Sequence, residues 1–239
     1  MSPLEVALVF SVITAAGCLQ ASIGFGMALI AAPLLVLLEP AFVPGPLIAS
    51  NLVLVSLMAL RDRAHVDFGI ARFSMAGSLL GGVAGAACVS LLDPRGFAVL
   101  FGLLVLLGVG LSVAGFRIAV NRGSAWGAGI LGGFMSATSA IGGPPIALVY
   151  QHEDRERFRG TLAAYFMVSC SVSLAALCWF GELGLGQLAL VVYLIPGQIC
   201  GFLLSFVVAR FLVRVSIRPF VLGLSSLAGA AVLARALQS

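Results

Sequence analysis

The chain has 239 residues, of which 61% are hydrophobic and 9% charged, where a soluble domain has roughly 45–50% apolar and about 25% charged residues. So little polar surface cannot coat a water-soluble globule, and the composition excludes a soluble enzyme, a disulfide scaffold and a disordered chain. The 13 basic residues are all arginine and the pI is near 9.1, yet they do not mark a nucleic-acid binder, because they sit in short gaps between long apolar runs and not on one solvated face. This is the layout of a multi-spanning protein whose solvent is the lipid bilayer.

In chain order the apolar runs cover residues 4–38, 46–60, 73–92, 97–116, 125–150, 161–180, 187–209 and 219–237. The residues before the first run, Met1–Glu5, carry no basic side chain. A signal peptide needs one, so the run is expected to belong to the mature protein. At about 1.5 Å per residue it would be about 50 Å long as one helix, too long for a hydrocarbon core of about 30 Å. It is interrupted by Ser22-Ile23-Gly24-Phe25-Gly26 and then by Pro33. The run 125–150 is interrupted in the same way, between Ser136 and Pro145, by Ile141-Gly142-Gly143-Pro144-Pro145. Glycine and proline remove helix propensity and a backbone donor, so each run reads as two half-helices meeting at a break. Irregular backbone at membrane depth persists only where it is buried in protein or lines a watery cavity. The breaks therefore locate a site.

The two halves resemble each other. Ser22–Gly26 aligns with Ala140–Pro144 at an offset of 118, Gly45-Pro46-Leu47 with Gly160-Thr161-Leu162 at 115, and Gly81-x-x-x-Gly85 with Gly197-x-x-x-Gly201 at 116. Three matches in one order predict a duplication, with a first repeat over residues 1–120 and a second over 121–239. Arginine placement tests how the breaks thread the membrane, since basic residues collect in cytoplasmic loops. If the run 125–150 enters and returns to one face, eleven arginines (61, 63, 72, 117, 122, 155, 157, 159, 210, 214 and 218) share a side and only Arg95 and Arg235 oppose them. By the repeat, residues 4–38 are a hairpin too, and both termini lie outside. The predicted fold is thus an all-α polytopic membrane protein of two inverted repeats, each a broken helical hairpin followed by three spans.

Half-helix N-termini expose unpaired N–H groups and the positive end of the helix dipole, which suits an anion. Here they begin at Met27 and at Pro145. Gly24, Gly26, Gly142 and Gly143 are expected to present amides, and Ser22, Thr138 and Ser139, flanked by Gln20 and Ser136, to donate side-chain hydrogen bonds. Asn51, Tyr165 and Gln198 are candidates to complete the shell. Each has a packing alternative: hydroxyls in membrane helices bond back to their own backbone, and glycine permits close helix approach. Gly81, Gly85, Gly197 and Gly201 are assigned to packing, while Asn51, Tyr165 and Gln198 stay open between the two. No Asp, Glu, Arg or His falls in the middle of a span, which disfavours a proton relay or intramembrane catalysis, so no enzymatic activity is expected. The five cysteines lie inside apolar runs without C-x-x-C spacing, and His65 and His152 lack metal-ligand partners. No metal or cofactor is expected. A phosphate-binding G-x-x-x-x-G-K-[ST] loop is missing too, so transport would not be driven by an ATPase of this chain.

The breaks and Pro33, followed by Asn51 and by Gly132-Gly133-Phe134-Met135-Ser136 leading into Ile141–Pro145, resemble the TauE/SafE family of sulfite exporters and related permeases over nearly the whole chain. The resemblance implies a secondary transporter of the bacterial inner membrane for small anions such as sulfite, thiosulfate, organosulfonates or organic acids. The chain departs from the glycine-rich form in having Phe25 in the first break and Pro144-Pro145 in the second, and Phe25 joins the expected substrate-binding set. Coupling to a proton carried with the substrate, or to a cation held by carbonyls freed at the breaks, is open, as is an oligomeric state. The alternatives are an anion channel and a non-transporting scaffold that binds a partner through its charged loops, of which 152–159 is the most mixed.

Overall fold

The computed structural model describes residues 2–114, 118–212 and 218–238. It is 86% helical, with no strand among the described residues. The helices are α1 (Pro3–Ile23), α2 (Met27–Leu38), α3 (Gly45–Asp62), α4 (Phe68–Ser90), α5 (Pro94–Val113), α6 (Arg122–Ser139), α7 (Gly143–Tyr150), α8 (Arg155–Trp179), α9 (Leu185–Ala189), α10 (Val191–Leu212) and α11 (Arg218–Gln238). Among the described residues six stretches are long and apolar enough to cross a membrane: α1, α3 with its 3₁₀ extension, α4, α5, α8, and α9 with α10. The chain is a multi-pass membrane protein.

Helix boundaries differ from the apolar runs where polar residues cap them. Asp67 accepts from the Gly69 N–H and Asp93 from the Gly96 N–H, so α4 and α5 start five and three residues ahead of their runs. These caps satisfy N–H groups that the helix itself leaves open. The half-helix expected from Pro145 starts at Gly143, because proline fits the first helical turn. The run 187–209 is divided at Leu190 into α9 and α10.

Both broken runs fold back on themselves. A Cβ on Gly142 would meet the Gly132 carbonyl and Ser136, and one on Gly132 would meet Ile146. Further along α7, Tyr150 reaches Ser74 of α4 at 3.0 Å, and Ser74 in turn abuts Gly129. Helix α7 therefore returns beside α6 toward the end where α6 began. That end also holds the start of α4, where Arg122 lies over the Phe73 ring, and the start of α8, where Thr161 accepts from the Asp67 N–H. Arg61, Arg63, Arg72, Arg155, Arg157 and Arg159 share it, while Arg95 binds the Ala236 carbonyl at the other end. Arg117 and Arg214, placed on this side by the sequence, lie outside the described residues, as do the side chains of Arg210 and Arg218. The first hairpin enters from the opposite end. Its tip lies against α8 at Phe158 and Arg159, and the start of α3, which follows α2, abuts Leu183 beyond the far end of α8.

The packing partners of the two halves correspond. Helix α1 lies on α10 as α6 lies on α4, α2 on α11 as α7 on α5, and α3 on α10 as α8 on α4, while α3–α8 and α5–α11 pair across the halves. Glycines set the two tightest contacts. A Cβ on Gly81 would strike the Ile130 carbonyl and one on Gly85 would strike Phe134, while Gly197 lies on Ile13 and Phe10, and Gly201 on Thr14 and Cys18. The packing role assigned to these four residues is what the structure gives them, small residues bringing backbones together where the bilayer offers no hydrophobic drive.

Candidate functional site

The first break is a three-residue link. Gly24 closes α1 with φ +114°, a left-handed conformation that L side chains resist, and its N–H donates to the Gln20 carbonyl at 2.7 Å. Gly26 starts α2 with the same φ. Of the three N–H groups at the head of α2, that of Met27 donates to Gln20 Oε1 at 3.2 Å. Those of Ala28 and Leu29 have no partner within the helix. Gln20 Nε2 donates to Asn51 Oδ1 at 2.8 Å, and Asn51 Nδ2 contacts Cys170 Sγ at 3.6 Å. Gln20 and Asn51 are both buried, so their two side-chain amides join α2, α1 and α3, and α8 meets them through the Cys170 thiol.

Inside α2, Pro33 has no N–H to give the Leu29 carbonyl. The Ser225 hydroxyl of α11 lies 2.6 Å from that oxygen and 2.8 Å from the Val221 carbonyl, and so meets the freed acceptor.

The second break places Gly143, Pro144 and Ile141 beside these groups. A small pocket between the two hairpin tips, with room for about one water, is lined by Gln20, Gly26, Asn51, Gly143, Pro144 and Phe166. Above it a cavity of about 490 Å³ opens at the arginine-bearing end, between the first break, α7, and the ends of α5, α8 and α11. Its walls are largely apolar, and Arg155, Arg159 and Glu153 stand at its mouth.

Of the residues expected to bind substrate, Gly26, Asn51 and Gly143 line the small pocket, and Ser22, Phe25 and Gly26 the larger cavity. The Ser22 hydroxyl donates to the Cys18 carbonyl at 2.7 Å, that of Thr138 to Phe134 at 2.8 Å, and that of Ser139 to Met135 at 2.8 Å. Each follows the back-bonding alternative. Gly142 lies on the Gly132 carbonyl, where its lack of a side chain allows the two legs of the second hairpin to touch. Tyr165 is buried against α6, with its hydroxyl 3.4 Å from the Gly129 carbonyl. Gln198 packs on Gly17 and donates to Ser50 Oγ at 3.3 Å. Neither lines the pocket.

The sequence reading missed an ionic cluster beside the first break. The Asp62 carboxylate, with 4% of its side chain exposed, accepts two hydrogen bonds from Arg159, at 2.7 and 2.8 Å, and others from Arg61, the shortest 2.9 Å. Arg61 also donates to the Ala21 carbonyl and to Ser205, and lies over the rings of Phe202 and Phe206. This ties the ends of α1, α3, α8 and α10 together. The only signal in the sequence is an acid at the very end of an apolar run.

Residues 9–232 match the family described as sulfite exporter TauE/SafE. The chain belongs to this family. Among curated proteins and among solved structures none matches the chain. Family membership supports a membrane anion transporter, the family being one of transporters. In this TauE/SafE member the polar pocket lies where two hairpin tips meet, at the bottom of a cavity open to one end.

Proposed function

We propose that this chain is a secondary transporter of a small sulfur-containing oxyanion, such as sulfite, thiosulfate or an organosulfonate, working by alternating access between two inverted repeats, residues 1–120 and 121–239. The observation that carries the reading is the small pocket at the hairpin tips. It combines neutral donors, from Gln20, Asn51 and the head of α2, with a cavity leading to one end only. Neutral amides suit an anion that must both bind and leave, since they offer hydrogen bonds without a fixed counter-charge. The corresponding packing of the two halves, with hairpins entering from opposite ends, supports the inverted relation. Arginine placement supports a cytoplasmic position for the cavity mouth, with both termini outside, in a bacterial inner membrane. Movement of a proton with the substrate fits a pocket without an ionisable group.

Purified protein in liposomes is expected to move sulfite, thiosulfate or a sulfonate down an imposed gradient, with saturation and counterflow, and Gly143→Val to abolish it. A Cβ added at position 143 would lie 3.2 Å from Phe25 and 3.5 Å from Phe166, before the two further methyl groups of valine are placed. Flux without saturation or counterflow would assign a channel instead. No flux of any sulfur or carboxylate anion, together with full tolerance of Gly143→Val, would remove the transport reading.

A further inference from the structure

The large cavity and the small pocket share Gly26, Leu29 and Pro144, so they are neighbours across a single layer of side chains. Phe25 lines the large cavity, and its Cβ and Cδ2 are the atoms that a side chain on Gly143, in the wall of the small pocket, would meet first. Its ring stands edge-on to that of Phe158, with centroids 6.1 Å apart, and Phe158 also borders the large cavity. The pair thus covers the approach to Gln20 and Asn51, and the pocket behind it has room for little more than a water molecule.

The backbone around Phe25 is built to turn. Residues Gly24 and Gly26 flank it, both at φ +114°, and it lies outside both helices. Glycine crosses between backbone regions that other residues cannot reach, so the peptide carrying Phe25 can rotate while α1 and α2 keep their places. Helix α1 is separately held by Arg61 at the Ala21 carbonyl and by the Gly24 cap on Gln20. A phenylalanine here fills the gap between the two hairpin tips, where a third glycine would leave the pocket open to the cavity.

From this geometry we infer that Phe25 is a thin gate, closed onto Gly143 and Phe158 in this structure, whose rotation on the Gly24 and Gly26 hinges admits the substrate anion to the pocket. The inference rests on the proposal that this pocket binds the substrate, but its test needs no substrate. In a full-length chain with Cys18, Cys88, Cys170, Cys178 and Cys200 replaced by alanine, Ala28→Cys reports on the small pocket, which Ala28 lines, and Ser22→Cys on the large cavity. The rate of modification by N-ethylmaleimide is measured in liposomes with phenylalanine, alanine or tryptophan at position 25. Phe25→Ala is expected to speed labelling at position 28 at least tenfold and Phe25→Trp to leave it slow, with position 22 unchanged in both. Ala140→Cys, on the other wall of the pocket, is a second reporter if Ala28→Cys does not fold. Equal rates at position 28 with phenylalanine and alanine would overturn the gate. So would a rise at positions 22 and 28 by the same factor, which would mean general loosening. A selective rise at position 28 in a protein that carries no anion would keep the gate and remove the transport reading.

Discussion

Removal of the Ser225 hydroxyl from α11 should destabilise the protein through a proline in another helix, Pro33 of α2. The Leu29 carbonyl has lost its helical donor to Pro33, and Ser225, fully buried, supplies the replacement at 2.6 Å. A buried acceptor left unpaired costs about 1–3 kcal/mol, while hydrogen bonds between membrane helices average about 0.6 kcal/mol and reach about 1.7. Ser225→Ala leaves an acceptor that no other helix serves, so we expect about 1.5 kcal/mol. For a chain of this size that is about 3–6 °C in Tm. The decisive comparison is a double-mutant cycle. Pro33→Ala restores an N–H to the Leu29 carbonyl, and Ser225→Ala in that background should cost under about 0.5 kcal/mol. Thermal unfolding of the four purified proteins in one detergent measures all the terms. Equal costs of Ser225→Ala with proline and with alanine at position 33 would refute the reasoning.

Asp62→Asn should be more damaging, since it leaves two guanidinium groups facing each other at the end of the bundle. Breaking a fully buried pair costs about 3–5 kcal/mol, and the partial exposure of Arg61 and Arg159 places the effect near the lower limit, about 3 kcal/mol, read as a Tm loss of about 6–12 °C; a loss under about 2 °C would refute it. Gly81→Ala and Gly197→Ala push α4 from α6 and α10 from α1, and each should destabilise by about 1–3 kcal/mol. Wild-type stability in either would show that the helices separate freely. Cysteines introduced at positions 122 and 152 should react with an impermeant maleimide from the same face of oriented vesicles, and reaction from opposite faces would contradict the returning second hairpin.

Local features were legible from the sequence and paired ones were not. Gly24, Gly26, Gly142 and Gly143 mark the breaks because glycine and proline act on their own stretch of backbone. The i, i+4 glycines of α4 and α10 likewise announce close packing before any partner is known. By contrast, the bond from Gln20 to Asn51 spans 31 residues and that from Arg159 to Asp62 spans 97. Nothing in either segment specifies the other. The hydroxyls of Ser22, Thr138 and Ser139 were ambiguous for a different reason: a carbonyl one turn back is always within reach, and only the final geometry decides between it and a ligand. Helix starts moved outward because the apolar runs omit the capping aspartates.

The two hairpins correspond in packing but differ in chemistry. At the head of α2 stand Met27, Ala28 and Leu29, each with an N–H, and Gln20 occupies only the first. At the head of α7 stand Gly143, Pro144 and Pro145, and the two prolines have no N–H to offer. On the proposed function, an anion seated between the tips would draw its backbone donors chiefly from the first hairpin, together with the amides of Gln20 and Asn51. The second hairpin contributes shape: Pro144 and Gly143 form the facing wall, and Phe166 closes it from α8. The donor-rich hairpin also carries the hinged Phe25, so access to the pocket and the bonds within it depend on the same three-residue link. A chain that keeps two-fold packing in its spans but divides these tasks between its breaks can change the shape of the second wall without disturbing the amides of the first.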